Sequence, residues 1–216
     1  MQTQTESPST KAKIAGILAE TGRTFASLQA SLKGINSPTI VISSAVAGEG
    51  KSLFSAGIGI VAARNLSGKV LLIDCHWHAP TLHTFFDIEP HINEAKNSAD
   101  EILQQQIIPT PYTNLDLLPA PAQHERLETT KSALNIIRSH KVNYALTIVD
   151  TPAILAANRH MVDPVAIAAE ANGIVLTVLA NRTPRQLVKK AQTMLEVSGS
   201  HSLGLIINQH CNPLAN

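Results

Sequence analysis

The chain has 216 residues, 44% of them hydrophobic, and its 17 Lys and Arg nearly cancel its 16 Asp and Glu. That size and apolar content suit one ordinary globular domain and exclude a disordered chain, and the balanced charge leaves no basic footprint for nucleic acid or an anionic membrane. No apolar run approaches the ~20 residues that cross a bilayer, the polar start MQTQTESPSTKAK lacks a signal-peptide core, and Cys75 and Cys211 alone make no disulfide framework, so a cytoplasmic protein is expected.

In chain order, residues 1–9 are expected to form a disordered tail. Ile14, Ile17, Leu18, Phe25, Leu28 and Leu32 then recur at roughly helical spacing. Residues 10–34 therefore read as an N-terminal helical extension, one broken helix or two, closed by Gly34 and Pro38. A single domain is expected over residues 35–216, with strands at 39–44, 69–75, 114–118, 144–150, 173–180 and 202–208. Helices are read between them at 51–66, 99–105, 125–139, 164–171 and 184–198. The runs TIVIS, VLLID and GIVLTVL are apolar almost throughout, as are strands buried on both faces of a parallel sheet. Their alternation with helices predicts an α/β fold with a doubly wound, mainly parallel sheet. Segments 81–97 and 119–123 are the least regular.

The stretch SSAVAGEGKSLF, residues 43–54, ends as a phosphate-binding loop ends, in Gly50-Lys51-Ser52. Ala45 stands where the pattern G-x-x-x-x-G-K-[ST] has its first glycine. The setting, a strand before and a helix after, is the one such a loop needs. Gly48 and Gly50 let backbone N–H groups turn toward phosphate oxygens, and the helix beginning near Lys51 adds its positive dipole end. Lys51 is expected to neutralise terminal phosphates and Ser52 to ligate Mg²⁺. An alanine at position 45 asks only for ordinary backbone angles. The cradle expected for ATP runs through Ala47, Gly48, Glu49, Gly50, Lys51, Ser52 and Leu53. Ligands of open α/β sheets bind at the carboxyl ends of strands, which makes Asp74, ending KVLLID, and Asp150, ending ALTIVD, the expected partners. Either aspartate alone is as often a cap or a turn residue.

Other features weigh less. Cys75, His76, His78 and His83 fall within nine residues, with His91 following, but the spacing is not that of a zinc finger, and histidines on a polar loop are the better reading. Trp77 reads as a locally buried aromatic rather than a partner contact. Glu49 reads as a solvated loop residue rather than a tuner of nearby charge. The segment RTPRQLVKK, 182–190, reads as a solvated basic helix start.

With these residues assembled, the chain resembles the bacterial tyrosine kinases (BY-kinases) of capsule and exopolysaccharide assembly, within the MinD/ParA-like P-loop ATPases. The family motif "TSAxPGEGKS" is matched by SSAVAGEGKS, "VLLIDADxRxPxLHxxF" by VLLIDCHWHAPTLHTFF (70–86), and "DYVIIDTPP" by NYALTIVDTPAIL (143–155). Three ordered motifs over roughly residues 25–208 make the likeness specific. The resemblance implies a P-loop NTPase sheet in which Lys51, Asp74 and Asp150 are catalytic. Lys51 and Ser52 would hold ATP and Mg²⁺, Asp74 would act near the γ-phosphate, and Asp150 would support the metal. Ser52, Asp74 and Asp150 would thus form the metal set, and likeness to the wider superfamily implies that Asn208 would contact the adenine.

Departures from the family pattern fall on catalysis and assembly rather than on binding. His76 replaces the second motif's other aspartate, and a neutral imidazole brings no negative charge and binds hard cations poorly. Only Tyr112 and Tyr144 are present, so the clustered-tyrosine tail is missing. The "E-x-x-R-x-x-R" element of ring assembly aligns with Arg23, Ala26 and Gln29, losing its charge pattern. The expectation is an ATP-binding, BY-kinase-like protein of exopolysaccharide or capsule polymerisation and export, acting as a nucleotide-dependent adaptor with weak or no kinase activity. An active tyrosine autokinase or ATPase is the alternative. A MinD/ParA-type positioning ATPase stands third, since Val46 replaces that group's signature lysine and the ending NPLAN is no amphipathic helix. The expected partner is a membrane chain-length determinant, or polysaccharide co-polymerase, which would recruit the protein to the inner face of the membrane. Homo-oligomers are a further expectation by resemblance.

Overall fold

A computed structural model describes residues 10–89, 107–121, 129–156 and 161–209. The chain begins with helix α1 (Thr10–Ser31), then β1 (Thr39–Ser44), α2 (Lys51–Asn65) and β2 (Val70–Asp74). A 3₁₀ turn (Leu82–Phe86) precedes the short β3 (Ile108–Pro109) and β4 (Leu115–Leu118). Helix α3 (Thr129–His140), β5 (Leu146–Asp150), α4 (Pro164–Glu170), β6 (Gly173–Leu179), α5 (Arg185–Val197) and β7 (Ser202–Asn208) follow. The strands form one sheet in the order β3-β4-β2-β5-β1-β6-β7, parallel except at β3. The expected parallel α/β sheet is thus observed. The expected helix at 99–105 and the first residues of that at 125–139 lie outside the described residues.

Continuous apolar strands give this sheet its two cores. Every residue of β1, β2, β4 and β5 is buried, and alternate side chains point to opposite faces. Ile40, Ile42, Leu72 and Ile148 join Phe54, Ile58 and Val61 of α2 on one side. Val41, Leu71 and Val149 meet Ile136, Ile167 and Leu195 of α3, α4 and α5 on the other. Sequential β1 and β2 are separated in the sheet by β5, while β6 lies on the far side of β1. The connection from β1 to β2 and that from β5 to β6 therefore run in opposite senses across the sheet, and a crevice opens at the carboxyl ends of β1, β2 and β5.

Helix α1 is one unbroken helix of 22 residues, where a break had been expected. Gly22 has nothing within 4 Å of a would-be Cβ, so it is simply tolerated at about 1 kcal/mol. Burial of Phe25, Leu28 and Leu32 in the core shared with α2 outweighs that cost. The two-residue β3 went unseen because Pro109 cannot donate to a ladder and suits only an edge. At the opposite end from the crevice, Lys69 Nζ donates to Asp116 Oδ2 at 2.9 Å and Tyr144 Oη donates to the same oxygen at 3.0 Å. This knot ties the entries of β2, β4 and β5 together. Among the described residues, no helix is long and apolar enough to cross a membrane.

Because Phe25 is 4% exposed within a shared core, Phe25→Ala should cost about 3–5 kcal/mol. Urea denaturation should show this as one cooperative transition shifted to lower urea, not as the separate loss of α1.

Candidate functional site

The loop at residues 45–50 leaves β1 through Ala45, which is buried and takes no unusual backbone angle. Gly48 and Gly50 are left-handed, with φ of 82° and 87°. At Gly50 a second constraint applies, since a Cβ would lie 2.5 Å from Asn208 Nδ2 at the end of β7. Any side chain there would both strain the backbone and force the Asn208 amide to shift. Gly50 caps α2, and its carbonyl accepts from Phe54 N at 3.0 Å, so the amides before Phe54 lie in the first turn and lack helical acceptors. Ala47 and Gly48 are exposed at the loop's crest, whereas the Leu53 side chain packs inward against the core.

Beneath the crest, Lys51 is buried beside two aspartates. Parallel pairing places Asp74 opposite Asp150 at the ends of β2 and β5. Ser52 Oγ donates to Asp150 Oδ2 at 2.5 Å and Ser55 Oγ donates to Oδ1 at 3.2 Å. Asp74 accepts from His76 N at 2.9 Å and from Leu82 N at 3.2 Å, so the turn after β2 wraps around its carboxylate. Trp77 is 3% exposed and donates from Nε1 to the Asp74 carbonyl at 3.1 Å, as its reading as a buried aromatic anticipated.

Burial governs how these groups titrate. It raises the pKa of both aspartates, and Asp150 adds like-charge repulsion at Asp74. At Asp150 the Ser52 hydroxyl and the Lys51 ammonium pull the other way. Burial lowers the Lys51 pKa, opposed by Asp150 and Glu49. His76 is lowered to about 4 by burial, then by the Lys51 charge and by His78. Its imidazole is therefore neutral at physiological pH, so the carboxylate charge of the family pattern has no counterpart there. Hydroxyl and carboxylate oxygens converge here, a donor set that suits a hard cation.

One expectation is overturned. Glu49 is not solvated: it is 1% exposed, and its carboxylate is absorbed by the protein. Oε2 accepts from Val46 N at 2.9 Å, and Oε1 accepts from Leu179 N at 3.1 Å and from the Thr183 hydroxyl. Asn208 Nδ2 donates to the Glu49 carbonyl at 3.2 Å, which places it against the loop itself. Ser55 and Thr183 carried no signal of their own in the sequence.

Comparison with known proteins agrees with this geometry. No family model matches the chain. The tyrosine-protein kinase YwqD of Bacillus subtilis is 31% identical over 191 residues, covering 85% of this chain and 75% of that protein. The succinoglycan biosynthesis transport protein ExoP of Rhizobium meliloti is 32% identical over 192 residues, covering 82% of this chain but only 23% of that protein. In three dimensions, the kinase domain of the Escherichia coli tyrosine kinase ETK superposes with a TM-score of 0.73 at 18% identity, over 92% of this chain and 78% of that domain. The septum site-determining protein MinD of Pyrococcus horikoshii, complexed with Mg-ADP, gives 0.63 at 19% identity, over 80% of this chain and 70% of that one. The fold is thus that of the MinD-like P-loop ATPases. Within that class, the chain belongs to the bacterial tyrosine-protein kinase family.

Raised carboxylate pKa values mean that the folded protein keeps protons the unfolded chain has already released. Stability from this pair is lost as pH rises from the ordinary carboxylate range through neutrality. His76 has the opposite sign, adding stability between about pH 4 and its ordinary value of 6.5. Asp74→Asn leaves His76 in place and loses the same backbone bonds at every pH. Relative to the wild type, it should therefore gain on the order of 1–2 kcal/mol between pH 5 and pH 8, read from urea midpoints at the two values.

Proposed function

We propose that the crevice binds ATP with Mg²⁺ and that the protein serves exopolysaccharide or capsule assembly as a nucleotide-dependent adaptor with weak or no kinase activity. The observation that carries the binding is the convergence of Lys51, Ser52, Asp74 and Asp150 under a left-handed glycine loop at a helix N-terminus. Backbone amides of residues 47–53 would face the phosphates, Lys51 would neutralise them, and Ser52, Asp74 and Asp150 would hold the cation. A bound Mg²⁺ supplies positive charge against phosphate oxygens. Two buried carboxylates that resist ionising gain a counter-ion there, which supports the fit. Asn208, at the loop's flank, is the residue proposed to meet the adenine.

Neutral His76 supports the adaptor reading, because the turn after β2 lacks the negative charge the family pattern carries there. ATP would then shift the protein between free and partner-bound shapes, with a membrane chain-length determinant as the proposed partner. The ExoP relative, a succinoglycan biosynthesis transport protein, supports the polysaccharide setting. A second reading, an active autokinase or ATPase, is favoured by Asp74, whose carboxylate is held by backbone amides and raised toward neutrality. Such a group can accept a proton from an incoming hydroxyl.

Calorimetric titration with Mg·ATP, alongside phosphate release and self-phosphorylation, decides between them. The wild type should bind without turnover, Lys51→Ala should weaken binding about 100-fold, and His76→Asp should bring turnover. Wild-type turnover that Lys51→Ala abolishes would establish the second reading, and absence of binding would remove both.

A further inference from the structure

The Glu49 side chain takes no part in the phosphate chemistry above, yet it is as deeply buried as those of Asp74 and Asp150. A charge is not held in a protein interior without partners that satisfy it, and here they come from three separated places. One is the loop's own entry, through Val46 N; another is the last residue of β6, through Leu179 N. The third is the hydroxyl of Thr183, in the segment between β6 and α5. That segment is itself compact: Asn181 is left-handed at φ 59°, Arg182 N and Thr183 N donate to the Leu179 carbonyl at 3.3 and 3.1 Å, and Ala180 N donates to the Asn208 carbonyl at 2.9 Å. Thr183 is thus presented to Glu49 by a defined turn, one residue before the Pro184 cap of α5.

We infer that Glu49 is a positioning residue that fixes the phosphate loop in shape by tying it to the β6–α5 segment. Nucleotide affinity is then set in part by residues that never meet the nucleotide. Val46 is the loop's second residue and Gly48 its crest, and between them the backbone has only Ala47. Glu49 is itself the far foot of the arch that Gly48 tops, so its bond to Val46 N ties the two feet together, and its bonds to Leu179 N and the Thr183 hydroxyl moor them to the end of β6. The same contact makes the arch sensitive to the exposed β6–α5 surface, where Arg182 and Arg185 lie on either side of Thr183 and Pro184. Anything that shifts this turn breaks a bond to the loop.

The test uses the whole chain and substitutes Thr183, which lies outside the phosphate site. Thr183→Val removes the hydroxyl at nearly constant volume, and Thr183→Ser restores it. In nucleotide-free protein, amide hydrogen exchange over residues 46–50 should rise about tenfold in Thr183→Val, the size expected for one lost bond to a charged group. Exchange in β4 and in the second half of α2 should stay at the wild-type rate, and Thr183→Ser should return the loop to that rate. Glu49→Gln should move loop exchange in the same direction as Thr183→Val. Affinity for Mg·ATP should fall by a similar factor in Thr183→Val, an arm that rests on the phosphate-loop reading. Unchanged loop exchange, a uniform rise over the whole chain, or faster loop exchange with unaltered affinity would each overturn the inference. Should the wild type bind no Mg·ATP, the phosphate-loop reading fails, and the exchange arm alone decides whether Glu49 positions the loop.

Discussion

Register between β2 and β5 sets almost everything at the crevice. Parallel pairing aligns the two strand-end aspartates, and β1 beside β5 delivers Lys51 and Ser52 to the same place. A slip of one residue would turn each carboxylate to the opposite face of the sheet. The apolar side chains on both faces forbid that slip, since every apolar residue of β2 and β5 is locked into one of two cores. The sheet's hydrophobic packing therefore supports an electrostatic arrangement it does not itself favour. Two buried carboxylates share a single buried ammonium in a region of low dielectric, and a cation is the natural complement.

The central part of this arrangement was legible in the sequence because it is written in local order. A strand, a glycine turn, a lysine and a helix occupy neighbouring positions, and Asp74 and Asp150 each close an unmistakable apolar strand. Glu49 was not legible for the opposite reason. A glutamate among glycines looks solvated, and the partners that bury it lie 130 and 134 residues further along the chain. The imperfect apolar spacing over residues 10–34 misled in a similar way: it suggested a break, while packing of Phe25 and Leu28 on α2 accompanies a continuous helix. Local rules succeeded where function uses consecutive residues and failed where tertiary contacts decide.

Position 76 shows how little the turn after β2 depends on the side chain it carries. The turn after β2 is held by Trp77, by the Asp74 carboxylate and by the buried Leu82. None of these depends on what side chain His76 carries, because His76 contributes its backbone N–H to the turn. The position is thus structurally permissive, and its side chain can vary on a constant scaffold.

At the far end of the sheet, the Lys69–Asp116–Tyr144 knot bears on the same question. Burial and the Asp116 bond push the Tyr144 hydroxyl up to about 12, so the proton stays on the oxygen and points at a carboxylate. A phosphoryl group on that oxygen would set a dianion against Asp116 and part the entries of three strands. Tyr112 packs edge-on to Phe86 at 6.0 Å, under the Arg64 guanidinium. Both tyrosines of this chain have thus been drafted as mortar, and a mason's bond is a poor place to write a signal.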